Sequence, residues 1–406
     1  MAFSYKKITA AALAAVCVAS MTGCSDTGYI GTVDGMDIRN GVYLWCMQSA
    51  YGDCYTEIAD VKEEAGDTSE VSDVFTQTVD GKPANDWIKE NTVVELRRYV
   101  AVNRLFEENG LTFTAEDTAS INDYVNQVWD KEDMYAQYIY GTKTMGEYYD
   151  SIGIGMETIR EVYTTNQKEA KLLEALYSEG GSKAVPAEEI NSYLTENYAN
   201  VKYIEIPFLD MYGNDLITDD EAASISAKAQ DYVDRLNAGE SFIDIRYEYD
   251  LETAKDKAQV DLEAYYNTAT SENLSDDEMN KAVEDARANA TADKAESIDE
   301  LEVAVKKDSS SLNAELTEFV WNLDADGKAV LLETEDAVYV VVRDDITTKD
   351  NWKSENMTAI LGDLAGEQFD AYLIEVGSAY AVELNESLVN NKYSPDNYKA
   401  FKSDDE

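Results

Sequence analysis

The sequence predicts an α+β fold, mainly helical, from three observations. Between Trp87 and Tyr177 apolar residues recur at three-or-four spacing, most clearly Leu96, Tyr99, Val102 and Phe106. After residue 200 the period changes to two, in Val201-Lys-Tyr-Ile-Glu-Ile206 and again in Ala329–Glu333 and Val338–Val342. The helical period then returns from roughly Ser354 to Val376, carried by Met357, Ile360, Leu361, Leu364, Phe369, Leu373 and Val376. A chain of 406 residues, 44% of them hydrophobic, can bury a substantial core and has room for two or three domains.

The elements follow in order. Gly28 to Ile38 reads as two short strands around a tight turn at Asp34-Gly35. A helix begins at Asn40, with Val42, Tyr43, Leu44 and Trp45 in its first turns. Residues 60–85 are polar, acidic and weakly periodic, and read as a loop. Trp87 to Asn109 is a helix stopped by Asn109-Gly110. Thr114-Ala-Glu-Asp117 opens the next, with Ile121, Tyr124, Val125 and Val128 on its inner face. A tyrosine-rich stretch, 135–149, precedes a helix from Met156 to Tyr177, and Pro186 introduces a short one, Ala187 to Asn197. After the strand at Val201–Ile206 a helix runs from Ala222 to Asn237. Residues 251–311 are rich in Asp, Glu, Ala and Lys and read as a solvated insert. Leu316 to Trp321, a turn at Asp324-Ala-Asp-Gly327, two strands and the last helix complete the chain. The tail from Tyr393 reads as polar and loose.

Charge and composition exclude several classes of function. The formal charge is −49, which argues against nucleic acid and against anionic headgroups held by charge. There is no histidine, so His-based triads, zinc sites with imidazole ligands and imidazole acid–base chemistry are absent. Asp324-Ala-Asp-Gly-Lys328 starts like a calcium loop, but Lys328 occupies a ligand position and Gly327 comes too early. No metal and no cofactor is expected.

The N-terminus has the parts of an export signal. Lys6 and Lys7 precede an apolar run from Ile8 to Met21, too short to span a bilayer as a stable helix. It ends in Met21-Thr-Gly-Cys24, which resembles the bacterial lipobox and implies lipidation of Cys24 after removal of residues 1–23. Removal takes two lysines and no acid, making the chain more negative still. Cys46 and Cys54 remain. Export favours a disulfide, but eight residues on one straight helix separate them by roughly 12 Å, so a bond requires a break at Gly52.

The order of elements resembles the SurA and PrsA group of exported foldases. Gly31-Thr-Val-Asp-Gly-Met-Asp-Ile-Arg-Asn-Gly-Val-Tyr43 is similar to that group's hairpin-then-helix opening. Asn109-Gly110 followed by Leu111-Thr-Phe-Thr-Ala-Glu-Asp117 is similar to its second helical signature. Val185-Pro-Ala-Glu-Glu-Ile-Asn-Ser-Tyr-Leu-Thr-Glu-Asn197 looks like the linker helix before its parvulin domain. Leu236-Asn-Ala-Gly-Glu-Ser-Phe242 resembles a Leu-x-x-Gly-x-x-Phe segment of parvulin. The resemblance implies a helical chaperone lobe over 24–200, an inserted parvulin-like α/β domain over 201–346 with its acidic insert at 251–311, and a return to the lobe over 347–406.

It also implies a role: a lipid-anchored holdase or foldase outside the cytoplasmic membrane, acting on unfolded or exported polypeptides. Parvulins line their site with a pair of strand histidines. Here those positions fall on Tyr203 and Tyr339, and the Gly-Gly-Asp-Leu-Gly stretch of the family is missing. The domain therefore reads as parvulin-like in fold and weak or inactive as a prolyl cis–trans isomerase. Phe242 and Phe319 are the candidates for a proline pocket. Tyr135, Tyr138, Tyr140, Tyr148 and Tyr149 are the candidates for peptide contact, because Tyr supplies adaptable area at modest ordering cost. The expected surface is shallow and aromatic, between lobe and domain. A rewired active isomerase and a non-catalytic surface scaffold are the alternatives. A homodimer is compatible with the sequence and not demanded by it.

Overall fold

The computed structural model describes residues 28–401 apart from 68, 72, 210–216, 267–274 and 308–311. The signal segment 1–23, the lipidation candidate Cys24 and the last five residues lie outside them. The fold is α+β and divides into two compact units. One takes in the described residues of Met1–Pro186 and Asn356–Glu406, the other those of Ala187–Glu355. The divisions fall at Pro186 and Asn356, whereas the sequence suggested 200 and 347; the short helix after Pro186 groups with the second unit.

In the first unit β1 (Tyr29–Val33) and β2 (Met36–Arg39) form the expected hairpin, with Val33 paired to Met36. Asp34 and Gly35 hold φ of 48° and 72°, the left-handed pair that matches strand twist and that Asp-Gly adopts at low cost. α1 (Asn40–Glu64) buries Tyr43, Met47, Ala50, Cys54 and Ile58, a stripe at three-or-four spacing. It continues through Gly52 and beyond residue 60, so the expected loop begins later. That loop also contains order: β3 (Thr78–Val79) and β4 (Lys82–Pro83) make a second two-residue hairpin at Asp80-Gly81.

α2 (Ala84–Glu108) buries Ile88, Thr92, Leu96 and Val100 and ends before Gly110, whose φ is 67°. α3 (Ala115–Asp130) starts with a reciprocal cap. Thr114 Oγ1 accepts the Asp117 N–H at 3.1 Å, and the Asp117 carboxylate accepts the Thr114 N–H at 2.7 Å. α4 (Met145–Ser151) and α5 (Met156–Tyr177) follow, α5 with the predicted bounds. Gly41 lets α1 approach α5 closely, since a Cβ there would lie 2.1 Å from Thr158 Oγ1.

The second unit opens with α6 (Ala187–Asn197), which leads directly into β5 (Tyr198–Pro207). Then come α7 (Asp219–Asn237), α8 (Phe242–Tyr266), α9 (Asp276–Ala292), β6 (Val303–Lys306), α10 (Ala314–Trp321), β7 (Ala329–Glu333), β8 (Ala337–Asp344) and α11 (Asp350–Glu355). The four strands form one antiparallel sheet in the order β6-β5-β8-β7. β8 is buried from Ala337 through Val342, as a strand covered on both faces must be. One face packs Ile204, Ile206, Val338 and Val340 against Tyr232 and Val233 of α7 and Phe242 and Ile245 of α8. The other packs Val201, Ala337, Tyr339 and Val341 against Leu316 and Val320 of α10. The segment 251–311 is thus not purely an insert: Ala254 and Ala258 are buried, and β6 supplies the sheet's edge with Val305 1% exposed.

The chain returns to the first unit as α12 (Met357–Ser378) and β9 (Val382–Leu384). α12 places Leu361, Phe369 and Leu373 against Val102, Leu105, Leu172 and Leu173 of α2 and α5. β9 extends the hairpin into a sheet of order β2-β1-β9, with Gly31 opposite Leu384. A Cβ on Gly31 would sit 2.1 Å from the Glu383 carbonyl oxygen, so glycine is what allows this pairing.

The tail is not loose as far as Phe401. Tyr393, Tyr398 and Phe401 are buried, Phe401 stacks on Tyr51 at 4.0 Å, and the Tyr398 hydroxyl donates to the Ile152 carbonyl at 2.7 Å. Its polar residues alternate with aromatics that α1 needs as cover, which composition conceals.

Between these helices lies a charged network. The Arg98 guanidinium forks onto Glu169, at 2.5 and 3.1 Å, and its Nε donates to Asp370 at 2.8 Å. The Glu169 side chain is only 8% exposed, and burial pushes its carboxyl up against the opposing pull of Arg98. Among the described residues no helix is long and apolar enough to cross a membrane.

Candidate functional site

The alternation of an antiparallel pair decides which side chains of the second unit meet. Glu205 of β5 lies opposite Tyr339 of β8, and Tyr203 lies opposite Val341. Opposed residues point to one face, so Tyr203 and Tyr339 are diagonal neighbours on it. Their ring centroids are 6.4 Å apart at an interplanar angle of 51°. The two positions, 136 residues apart in the chain by their numbering, are brought together by the register alone.

Hydrogen bonds fix the second ring. Tyr339 is 4% exposed, its hydroxyl donates to Glu205 Oε1 at 3.1 Å and accepts from Asn313 Nδ2 at 2.9 Å. Asn313 is itself held, because its Oδ1 caps α10 by accepting the Leu316 N–H at 2.8 Å. Burial, with the Glu205 carboxylate next, raises the Tyr339 pKa above that of a free phenol. The hydroxyl therefore stays protonated at neutral pH and its proton is committed to Glu205. Glu205 and Asn313 were not singled out in the sequence. The cue for Glu205 was its place two residues after Tyr203 on the same strand face.

Phe319 belongs to this face, half-buried beside α10's buried Leu316 and Val320. Phe242 does not. It is 5% exposed and packs on the opposite face with Ile204, Val340 and Tyr232, so the expectation of a shared pocket with Phe319 is corrected. The reason is local: Phe242 opens α8, which covers the even-numbered residues of β5, whereas Tyr203 is odd-numbered.

The tyrosine stretch of the first unit also divides. Tyr140 and Tyr148 stack at 3.7 Å, and Tyr149 leans on Trp45 of α1 at 5.8 Å. Burial pushes the Tyr148 hydroxyl up to about 12. These three are core cover rather than free contact surface, a correction to their candidacy for peptide contact. The other two face water. Tyr138 is 89% exposed and Tyr135 51% exposed, with Met134 beside them at 85%. Tyr138 lies in a single π-turn, Ala136–Tyr140, ended by Gly141 at φ 67°, and Met134 and Tyr135 directly precede it. Tyr135 is braced edge-on against Tyr140 at 5.7 Å, and Asp133 accepts the Ala136 N–H at 2.8 Å. Met134 carries no aromatic signal in the sequence; its place four residues before Tyr138, about one helical turn, is the cue that joins it to the patch.

Cys46 and Cys54 are both free and buried. α1 does not break at Gly52, so the two thiols stay eight residues apart on one helix and the disulfide left open by the sequence is not formed. The calcium-like turn is closed by its own lysine: Lys328 pairs with Asp326, and Gly327 holds φ 74°.

Comparison with solved structures places two foldases beside this chain. The crystal structure of PrsA from Bacillus subtilis is 12% identical, with a TM-score of 0.28, covering 89% of this chain and 97% of that one. Foldase protein PrsA from Streptococcus pneumoniae is 15% identical, again at a TM-score of 0.28, covering 76% of this chain and 93% of that one. Both superpositions are weak. No protein-family model and no curated protein matches the chain.

Proposed function

We propose that this chain is a chaperone of the exported-foldase type, held by a lipid on Cys24 at the outer side of the cytoplasmic membrane and acting on unfolded or exported polypeptides. The observation that carries the reading is the patch of Met134, Tyr135 and Tyr138. These are three of the seven large apolar side chains left exposed among the described residues, and they fall within five positions of one another. Exposed aromatic and methionine side chains clustered at a short turn offer adaptable apolar contact to many sequences. The export signal, the lipobox-like Met21–Cys24 and the order of motifs support the same reading.

The test is suppression of aggregation of a chemically unfolded client by residues 25–406, at stoichiometric ratio and physiological salt. Protection that falls away when Met134, Tyr135 and Tyr138 are all replaced by Ser supports the patch as the contact surface. No protection from a chain shown folded by circular dichroism refutes the chaperone reading.

A second reading, residual prolyl isomerisation, is favoured by one observation. Tyr203 and Tyr339, matched separately to the two histidine positions of parvulin, meet on a single sheet face. Isomerisation needs no covalent chemistry, only relief of a barrier of about 18–20 kcal/mol to amide rotation. A protease-coupled assay on a proline-containing tetrapeptide decides it: no acceleration above the uncatalysed rate retires the isomerase reading and leaves the chaperone reading standing.

A further inference from the structure

We infer that the cavity beside α11 in the second unit binds a basic residue of a polypeptide, taking its guanidinium or ammonium group together with a backbone carbonyl. The inference rests on the chaperone reading and narrows it, naming the kind of client segment that is held.

The cavity has a volume of about 390 Å³, the size for one side chain and its adjoining backbone. Asn200 of β5 lines it. That residue is 2% exposed, and its Nδ2 has no hydrogen-bond partner among the described residues. Leaving a buried amide donor unpaired costs roughly 1–3 kcal/mol, and an apolar side chain of the same shape would remove the cost. A donor kept there, at the wall of a cavity, is complementary to an acceptor brought by a ligand.

The surrounding charge says what else that ligand carries. Asp299, Glu302, Asp350 and Glu355 line the cavity against a single lysine, Lys349. Lys349 is occupied, paired to Glu302 and 3.7 Å from Asp299. Asp350 is 2.9 Å from Lys353, and Glu355 has no ion pair among the described residues. Glu302 also has Lys202 at 3.8 Å, so it is answered, and the charge left over falls on Glu355 and the exposed Asp299 and Asp350. Trp352 adds an indole, set edge-on to Tyr198 with centroids 5.1 Å apart.

Three requirements follow: an acceptor for Asn200, a cation for the carboxylates, and a flat or alkyl body against the indole. A bare metal ion meets only the second and leaves the Asn200 amide as it was. An arginine or lysine within a peptide meets all three. Arginine fits best, since its planar group both stacks and forks onto carboxylates. The strongly acidic chain, at a formal charge of −49, would also draw such segments in from solution.

The experiment is fluorescence anisotropy with two labelled peptides, acetyl-Gly-Ser-Arg-Ser-Gly and its citrulline counterpart, titrated with the full chain at about 0.15 M salt, where long-range attraction is screened. Citrulline keeps the shape and removes the charge. The arginine peptide should bind about tenfold more tightly, the equivalent of about 1.4 kcal/mol. Asn200→Leu should weaken both peptides about equally, since the backbone carbonyl it meets is common to them, while leaving the thermal midpoint unchanged or higher. The surface pair Asp350→Asn with Glu355→Gln, where folding is not at stake, should remove most of the preference for arginine. Equal binding of the two peptides overturns the inference. So does an arginine preference that survives the carboxylate variant, or an affinity that Asn200→Leu leaves unchanged, since binding would then belong to the net charge of the chain and not to this cavity. Aggregation suppression on the same preparations separates the two levels. Intact client protection without an arginine preference sinks the pocket alone, whereas a lost protection in the unaltered chain sinks the broader reading.

Discussion

Replacing Glu95 by Gln should stabilise the protein at alkaline pH and do much less at acid pH. Glu95 sits on α2 one turn before Arg98, within the field of Asp53 from α1, Glu169 from α5 and Asp370 from α12. Burial is the largest influence on its carboxyl; Arg98 opposes it and the three neighbouring carboxylates add to it, leaving a pKa of about 7 against an ordinary 4.5. The folded pKa of this acid lies above the unfolded one, so the folded state binds the extra proton and stability falls as pH rises between those values. Below 4.5 there is no cost; above 7 the cost is complete, on the order of 3 kcal/mol at about 1.4 kcal/mol per pKa unit. At pH 5 it is about 1 kcal/mol, so the gap between Glu95→Gln and the parent should widen by about 2 kcal/mol between pH 5 and pH 8. For a unit of this size that is a relative rise in thermal midpoint of roughly 4–8 °C. Thermal melts of both proteins at the two pH values and constant salt measure it. Any intrinsic cost of the glutamine amide is common to both pH values and cancels. A gap that stays constant with pH, or narrows towards pH 8, would refute the assignment of a buried acid to this position.

Three further outcomes are expected. Tyr339→Phe keeps the ring in place and deletes a hydroxyl bonded to Glu205 and Asn313, so urea denaturation should show a loss of about 1 kcal/mol with the fold retained. Phe401→Ala removes a ring stacked on Tyr51 and 7% exposed, and should cost about 3 kcal/mol; a tail without structure would give no change. Cys46 and Cys54 should resist a thiol reagent at pH 8 in the folded chain and react on denaturation without reductant, because burial pushes the Cys54 thiol up to about 11 and that of Cys46 higher.

Much of the fold was legible because its punctuation is local. Asp34-Gly35, the cap of Thr114 with Asp117, the Asn109-Gly110 stop and the start of α6 after Pro186 each act within a few residues. The alternation in β5 and β8 likewise marks those strands without reference to partners. What escaped depends on distant partners. The second half of α1 carries one buried apolar residue, Ile58, after Cys54, and so reads as polar. β6 has only four residues, Val303–Lys306, and is a strand because β5 offers it an open edge. The tail is ordered because Tyr51 and Ile152 receive its aromatics. At the site, the alternation marks Tyr203 and Tyr339 as strand residues, but the burial that separates Tyr138 from Tyr148 is not legible. Two rings of the same type ten residues apart differ only in what packs above them. The wrong assignment of Phe242 has the same origin, since the helix it opens covers the other side of the sheet.

The chemistry of Tyr203 and Tyr339, which meet on one sheet face, limits what that face can contribute. A histidine pair can donate, accept and change charge near neutral pH. A buried tyrosine whose pKa is raised does not do the third, and the Tyr339 hydroxyl already donates its one hydrogen bond to Glu205. Its remaining capacity is to hold a geometry, with Asn313 and Glu205 fixing the ring and α10 covering it. A site built this way can support the sheet, or present a rigid polar edge to a peptide, but it offers no group whose charge follows the twist of an amide. The exposed Met134–Tyr138 turn and the Asn200 cavity use contact and charge complementarity instead, neither of which requires a titrating residue. On the proposed reading, this chemistry suits holding a polypeptide better than turning its prolyl bonds, and holding needs no histidine.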